Sequence, residues 1–489
     1  MTFAGCSRGE EAPEGQDDVG APVAPASNNP AGALPLPEFT PCASTTQPTL
    51  PAKWQATALM QDFFLNTLTF GNFVYDESAN AFRFAIADQY GMDFDFLTTT
   101  DGKLYLLEGD GDMPTSCTLL TNSSPYTVPG RAWLGESAVC VGQAPILERE
   151  QQWWKNPSGD VGANWFWYNT SNNLPFRSMY YADAPVTTPV PIYEHFTFNY
   201  FPSFEGVAST NLGQILQMCQ STARTPTATA EYSKPSIEPL LKKSKYPQKD
   251  ARLASQIQSW IPGVTDCSST GSLPPQWPDQ LQITAFMTAV NFNFNPFPTR
   301  IYYDWTAKSQ NTTLYYNPPT QQNFAQVALL LNNSGYITNV EEGGATSSCS
   351  QVLPGPPVPD WKQVDGCECR AEIAPGTVLN PSTVPTKILW CPTDLELKQV
   401  FWTWYSDTGT PVVFMQSNSS PSAGTGLNLA DYYQWGPGSV APAGTFDLPQ
   451  ACQGQPIVPD AFPKACNNCH LPLNARGAAA KAAAARTAQ

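Results

Sequence analysis

The sequence predicts a mainly β protein of the α+β type, built as two tandem units stapled by disulfides. Three observations carry that prediction: apolar residues alternate at the period of a strand, a long stretch of chain repeats itself, and 13 cysteines are spread over 489 residues. Ile283, Ala285 and Met287 alternate with Gln282, Thr284 and Phe286, and Phe82 to Ile86 alternates in the same way. The segment from Asp76 to Ala81 lies between two such runs and predicts a hairpin turn. Helical signals are few. Leu212 to Cys219 is the strongest in the first unit, and Pro129-Gly130-Arg131-Ala132-Trp133-Leu134 predicts a short helix with proline in its first turn.

The duplication emerges when landmarks are aligned. Leu50-Pro51-Ala52-Lys53-Trp54 recurs as Leu273-Pro274-Pro275-Gln276-Trp277, Tyr75-Asp76 as Tyr303-Asp304, and Trp165-Phe166-Trp167-Tyr168 as Trp402-Thr403-Trp404-Tyr405. Pro175 and Met179 recur as Pro411 and Met415. The offset drifts only from 223 to 237, so loops changed length while elements kept their order. Cysteines follow the same offset: Cys42 matches Cys267, Cys117 matches Cys349, Cys140 matches Cys367 or Cys369, and Cys219 matches Cys452. The expected organisation is a disordered linker over 1–41, a β domain over 42–219, a connector over 220–266, a second β domain over 267–452 and a tail over 453–489. The duplication further predicts that each unit is closed by its outer cysteines, Cys42 with Cys219 and Cys267 with Cys452.

Composition narrows the class. Charged residues make up 13% and aromatics 12%, which supplies ample surface to bury and excludes a disordered chain. The net charge of −16 repels phosphate, so nucleic acid is not an expected partner. Thirteen cysteines point to an oxidising, extracytoplasmic compartment. Sequons at Asn122, Asn169, Asn311, Asn332 and Asn418 allow glycosylation on a eukaryotic secretory route. No run of eighteen apolar residues predicts a transmembrane segment. The chain opens without a secretory leader, and Phe3-Ala4-Gly5-Cys6 resembles the end of a bacterial lipoprotein signal, which makes Cys6 a candidate lipid tether. The basic residues Lys242, Lys243, Lys245, Lys249 and Arg252 read as a solvated face of the connector, with anionic lipid as the alternative.

The order of landmarks resembles the ependymin-related family. In the second unit it runs through Cys267, Leu273 to Trp277, Tyr303-Asp304, Cys349 and the W-x-W-Y strand to Phe446-Asp447-Leu448-Pro449-Gln450-Ala451-Cys452. In the first it runs through Cys42, Trp54, Tyr75-Asp76 with Arg83, Cys117 with Leu119, Val128-Pro129 with Ala132 and Gly135, and Cys219. The second unit lacks the arginine that follows Tyr-Asp, and Cys391 and the connector have no counterpart. The resemblance implies two curved antiparallel half-barrel sheets, shared with the LolA and LolB lipid carriers, each with a concave pocket for a fatty acid or other apolar molecule. It also implies calcium, for which the acidic turn Glu108, Asp110 and Asp112 is the candidate.

The residues point separately to an apolar partner. On a strand, Trp165 and Trp167 face one way while Phe166 and Tyr168 face the other, so both faces of the sheet are apolar. One face packs on helices and the other meets a ligand, a further helix or the sister unit. Trp165, Trp167, Tyr168, Phe196, Phe198, Trp402, Trp404 and Tyr405 are therefore the candidate ligand-binding residues. Catalysis has little to work with, because the chain holds only His195 and His470 and no nucleophile elbow accompanies either. Cys466-Asn467-Asn468-Cys469-His470 has the form of covalent haem attachment, although 19 residues of polar and Ala-rich chain offer no wrapper for a porphyrin. The reading is a secreted or surface-tethered binding protein for a lipid or other hydrophobic ligand, not an enzyme. Its alternatives are a structural or adhesive extracellular protein and an electron-transfer protein with a terminal haem.

Overall fold

A computed structural model of the chain describes residues 32–222 and 260–453, apart from 63–66, 89–92, 110–111, 125–127, 157–163 and 183–194 in the first stretch and 268–277, 290–295, 317–323, 332–333, 342–345, 353–367, 395–398, 407–409 and 419–425 in the second. The first sheet comprises β1 (Lys53–Asp62), β2 (Thr67–Asp76), β3 (Ala81–Asp88), β4 (Asp93–Thr99), β5 (Leu104–Glu108), β6 (Ser116–Thr121), β7 (Val139–Ile146), β8 (Arg149–Asn156), β9 (Asn164–Asn169), β10 (Pro175–Ala182) and β11 (His195–Gly206). Helix α1 (Leu212–Thr222) follows. The second sheet comprises β12 (Val264–Thr265), β13 (Gln280–Ala289), β14 (Phe297–Asp304), β15 (Ser309–Tyr316), β16 (Phe324–Leu331), β17 (Ser334–Glu341), β18 (Thr346–Val352), β19 (Glu368–Ile373), β20 (Thr386–Asp394), β21 (Gln399–Ser406), β22 (Pro411–Asn418) and β23 (Gly426–Pro437).

Both sheets are antiparallel, curved and open. Their strand orders, β6-β5-β4-β3-β2-β1-β11-β10-β9-β8-β7 and β18-β17-β16-β15-β14-β13-β23-β22-β21-β20-β19-β12, correspond strand for strand, with β12 added at one edge. In each, the first long strand pairs with the last, so the meander folds back on itself and leaves the sixth and seventh strands near opposite edges. The likeness reaches single contacts. Asp76, opposite Lys53, accepts from its ammonium and from the backbone N–H groups of Ser78 and Ala79; Asp304, opposite Gln280, accepts from its amide and from the N–H of Ala307.

Each face of the first sheet is apolar and each is covered differently. One face, the seam face, carries Leu59, Phe70, Trp153, Trp165, Trp167 and Phe198, which share a continuous core with Phe286, Ile373, Ile388, Val413 and Leu429 of the second sheet. By register, Phe286 is the copy of Leu59, Ile388 of Trp153 and Leu429 of Phe198, so the same positions of both copies line the seam, as in an isologous dimer interface. At its centre Arg177 on β10 makes a bidentate pair with Asp431 on β23, at 2.6 and 2.8 Å, both side chains being buried. Tyr200 joins it at 3.1 Å, and the guanidinium lies 3.9 Å from the Trp167 ring centroid. Burial opposes the Arg177 charge, yet Asp431 and Tyr200 more than offset that and hold the arginine protonated.

Residues 32–41 depart from the expected linker, because they lie along the seam. The Leu34 carbonyl accepts from Arg300 of β14 at 3.1 Å, the Phe39 ring packs 5.7 Å from Trp153 and 5.9 Å from Phe286, and Thr40 bridges Gln143 on β7. A Cβ at Gly142 would sit 2.1 Å from the Phe39 ring, which explains a glycine in mid-strand. The second unit repeats the arm: Thr265 of β12 pairs with Glu372 of β19, the copy of Thr40 beside Gln143.

The disulfides correct the outer-cysteine expectation. Cys42 bonds Cys140 and Cys117 bonds Cys219; Cys267 bonds Cys369 and Cys349 bonds Cys452. Cys42 sits in the arm beside β7, while Cys219 sits on α1 beside β6, so the outer cysteines flank opposite edges of an eleven-stranded sheet, with strands spaced at about 4.8 Å. Cys369 rather than Cys367 copies Cys140, and Cys367 lies outside the described residues. Helix α1, with Leu212, Ile215 and Cys219 on one face, covers Leu97, Tyr105 and Leu107 at the far end of the seam face. The Pro129 to Leu134 stretch forms turns instead of a helix, because Gly135 takes a left-handed conformation and Arg131 exchanges hydrogen bonds with Leu50.

Three outcomes follow from this architecture. Non-reducing peptide mapping yields Cys42–Cys140 and Cys117–Cys219 peptides and no Cys42–Cys219 peptide. Asp431→Ala, which strands a buried guanidinium, costs about 3–5 kcal/mol in denaturant unfolding, and Arg177→Met in the same chain recovers most of it. Asp76 is the acid-sensitive group: burial would raise its carboxyl, but hydrogen bonds from Ser78, Thr210 and Lys53 bring it down from 3.8 to about 2. A lowered carboxyl stabilises the fold above its unfolded value and loses that contribution as pH falls, so Asp76→Asn costs roughly 2 kcal/mol at pH 7 and nothing below about pH 2, read from urea midpoints across that range.

Candidate functional site

The opposite face of the first sheet bears a run of aromatic rings. Strand register sets Phe73 on β2 opposite Phe84 on β3, and Phe84 opposite Phe96 on β4, while Phe82 stands opposite Tyr75. Consecutive ring centroids lie 5.9 Å apart for Phe73 and Phe82, 5.6 Å for Phe82 and Phe84, and 5.3 Å for Phe84 and Phe96. Ile86, Leu106 and Leu120 flank this ladder. The rings of Phe84 and Phe96 are buried, whereas Phe73, Phe82, Ile86, Leu106 and Leu120 are half-buried and present part of their surface to solvent.

The ladder continues under a cover. The turns between β6 and β7 lay Trp133 over Trp54 with centroids 6.1 Å apart and planes 15° from parallel, and Trp133 also meets Phe166, Phe201 and Phe204. Trp54 is 2% exposed and touches Phe82 at 5.9 Å, so one aromatic path leads from the covered end to the open end. Tyr168 is wholly buried in the same covered cluster, and burial pushes its phenol pKa well up, which keeps the hydroxyl protonated.

The second unit does not copy this surface. The positions of Phe73, Phe82, Phe84 and Phe96 hold Ile301, Gln310, Thr312 and Ala328, and that of Trp54 holds Leu281. A strand scaffold that otherwise matches therefore carries its aromatic ladder in one copy alone. The alternation of Phe82, Phe84 and Ile86 is visible in the sequence as a strand signal; the contrast with Gln310 and Thr312 needs the register and was missed.

Of the residues expected to bind ligand, three fall in the seam and away from the ladder. Trp165, Trp167 and Phe198 are wholly buried in the seam. The face they were expected to offer a ligand is met by the sister unit, one of the three partners the alternation allowed. Tyr168 lies on the ladder face. Phe196 is placed on β11, and Trp402, Trp404 and Tyr405 on β21, by backbone register; their side chains lie outside the described residues. His195 stands opposite Ala182 at the start of β11.

The described part of the acidic turn is engaged by groups of the protein itself. The Glu108 carboxylate accepts from Ser116, and the carbonyl of Asp112 accepts from Arg83 at 2.7 Å and from Asn211 at 2.8 Å. Asp110 lies outside the described residues, and among the described residues no three His, Cys, Asp or Glu side chains gather as a metal site. Cys466, Cys469, His470 and Cys6 also lie outside the described residues, as does Asn332. Of the other sequons, Asn122 is exposed and Asn169 folds its side chain back on Ser171. The Asn311 amide donates to the Thr445 carbonyl, and the Asn418 side chain is outside the described residues. Among the described residues no helix is long and apolar enough to cross a membrane.

No protein-family model matches the chain, and no curated protein matches it. Among solved structures, an uncharacterized conserved protein from Thermus thermophilus aligns at 11% identity over 36% of this chain and 91% of that one, with a TM-score of 0.23. The Pseudomonas aeruginosa MucA/MucB complex aligns at 12% identity over 60% of this chain and 86% of that one, with a TM-score of 0.20. A transferrin binding protein B variant from Haemophilus parasuis aligns at 9% identity over 80% and 77%, with a TM-score of 0.14. Scores this low mark distant likenesses and identify neither a family nor a ligand.

Calcium has a direct check: adding it, or removing it with a chelator, is expected to leave the melting temperature unchanged in differential scanning calorimetry, whereas a rise of several degrees that Glu108→Gln abolishes would place calcium at the acidic turn.

Proposed function

We propose that the protein is an extracytoplasmic binding protein for an apolar ligand, that the ligand lies along the aromatic ladder of the first sheet, and that the chain performs no catalysis. One observation carries the reading: Phe73, Phe82, Phe84 and Phe96 stack as a partly open apolar surface where the otherwise matching second sheet has Ile301, Gln310, Thr312 and Ala328. The partly exposed rings of Phe73 and Phe82, on one copy of a duplicated scaffold, serve no packing need that the other copy shares. The four disulfides support an oxidising compartment.

A second reading, a structural extracellular protein without a ligand, draws on the seam, where Trp165 and Trp167 are entirely consumed by contact between the units. The two readings separate in one titration. Binding of a fluorescent fatty acid to the full chain weakens about tenfold in Phe82→Ala, a change of roughly 1.4 kcal/mol, with little effect on melting temperature. Trp167→Ala instead costs about 3–5 kcal/mol of stability. A chain that takes up no probe, or one in which Phe82→Ala changes nothing, favours the structural protein.

A further inference from the structure

The two units share one backbone frame at the turns that follow β2 and β14, and they fill it differently. The Trp305 N–H donates to the Asp279 carbonyl at 2.7 Å and the Gly438 N–H to the Gln280 carbonyl at 2.8 Å, just as Glu77 donates to Ala52 at 2.9 Å and Val207 to Lys53 at 3.0 Å. In the first unit the frame is closed around Asp76. Lys53 Nζ lies 3.2 Å from its carboxylate, the Thr210 hydroxyl donates to the same oxygen, and the Asp76 side chain is 4% exposed. In the second unit the closing groups are gone: Gln280 stands for Lys53, Gly438 for Val207 and, three residues on, Ala441 for Thr210. A pocket of about 550 Å³ lies there instead, lined by Pro278, Asp279, Gln280, Asp304, Ala307 and Gly438 among others. A Cβ added to Gly438 would meet nothing within 4 Å.

We infer that this pocket binds a small organic ammonium, whose N–H groups reach Asp304 as Lys53 reaches Asp76 in the first unit. Asp304 is half-buried and accepts from the Gln280 amide at 2.7 Å and from the Ala307 N–H at 2.9 Å, both neutral donors, which leaves a lone pair on each carboxylate oxygen. Among the described residues no lysine or arginine pairs with it, and Lys308 on the same turn lies over the Trp305 ring instead. The first unit shows what the complete frame holds, an ammonium on a carboxylate. The second keeps the carboxylate and opens the space from which a ligand supplies the ammonium. Asp279 on the pocket wall and the net charge of −16 add to the attraction, while Pro278, Ala307 and Gly438 give apolar wall to a short alkyl body. Calcium fits less well, since it takes about six to eight oxygens and among the described residues no three His, Cys, Asp or Glu side chains gather. The site lies on the other unit from the aromatic ladder and stands or falls independently of it.

The test titrates butylammonium into the full-length, disulfide-intact chain by isothermal titration calorimetry at fixed ionic strength, with butan-1-ol and calcium as comparisons. Butylammonium is expected to fill one site per chain, and butan-1-ol to bind at least tenfold less well. Gln280→Lys, which supplies the first unit's ammonium from the chain itself, should weaken butylammonium at least tenfold while leaving the melting temperature unchanged or higher. That variant shifts a net charge of −16 by a single unit, so a general loss of attraction does not account for such a drop. Asp304→Asn should weaken butylammonium to the same degree; if it unfolds the turn, Gln280→Lys still decides. Absence of butylammonium binding, affinity for butan-1-ol equal to that for butylammonium, or butylammonium binding unchanged in Gln280→Lys would overturn the inference. Calcium that displaces butylammonium from the parent chain and binds it more tightly would also overturn it, by making the pocket a metal site.

Discussion

An open antiparallel sheet that is apolar on both faces has to be covered twice, and everything else in this molecule answers that constraint. Residues at even and odd positions of β9, Phe166 and Tyr168 against Trp165 and Trp167, load both faces with rings. Helix α1 covers one end of the seam face through the Cys117–Cys219 staple, and the second unit covers the other end. The turns around Trp133 cover one part of the ladder face. What remains only partly covered is a strip of the ladder face at Phe73, Phe82 and Ile86, and it is on this remainder of the covering problem that the proposed binding role rests.

Contact between the units uses the same positions of both copies, yet it is not symmetric at its centre. Register makes Val413 the copy of Arg177 and Tyr200 the copy of Asp431. One copy thus supplies the cation and the other the anion, so the pair can form only once. Two identical units could not make it, and in this sense the duplication has been fixed as a heterologous pair of halves. The ion pair adds little net stability over apolar side chains of similar volume, but it penalises any arrangement that buries one partner without the other.

Much of the fold was legible in the sequence, because period-two alternation and the recurrence of W-x-W-Y, Tyr-Asp and cysteines depend on local geometry that both copies repeat. The helix at Leu212 was legible for the same reason, its apolar residues falling on one face. Cysteine pairing was not, since partners about 100 residues apart are chosen by which sheet edge each one reaches, and edges are a property of strand order. The site was legible only in part. A stripe such as Trp165 and Trp167 reads the same whether it meets a ligand or a sister unit, and only the packing of β10 on β23 decides between them. The ladder escaped notice because its significance lies in a difference, Phe82 against Gln310, that appears only when register aligns the copies.

The seam also has a consequence for the order in which the chain is made. Arg177 waits for Asp431, which lies 254 residues further along the chain, and Phe39 waits for Phe286. A ribosome delivering the chain from its N-terminus completes the first sheet, with its Trp stripe and an unneutralised guanidinium, long before the surface that buries them exists. At roughly 5–20 residues per second the exposed interval is on the order of 10–50 s. For that time the first half is a sticky, half-finished protein whose natural complement is its own unborn second half, or the first half of a neighbouring nascent chain.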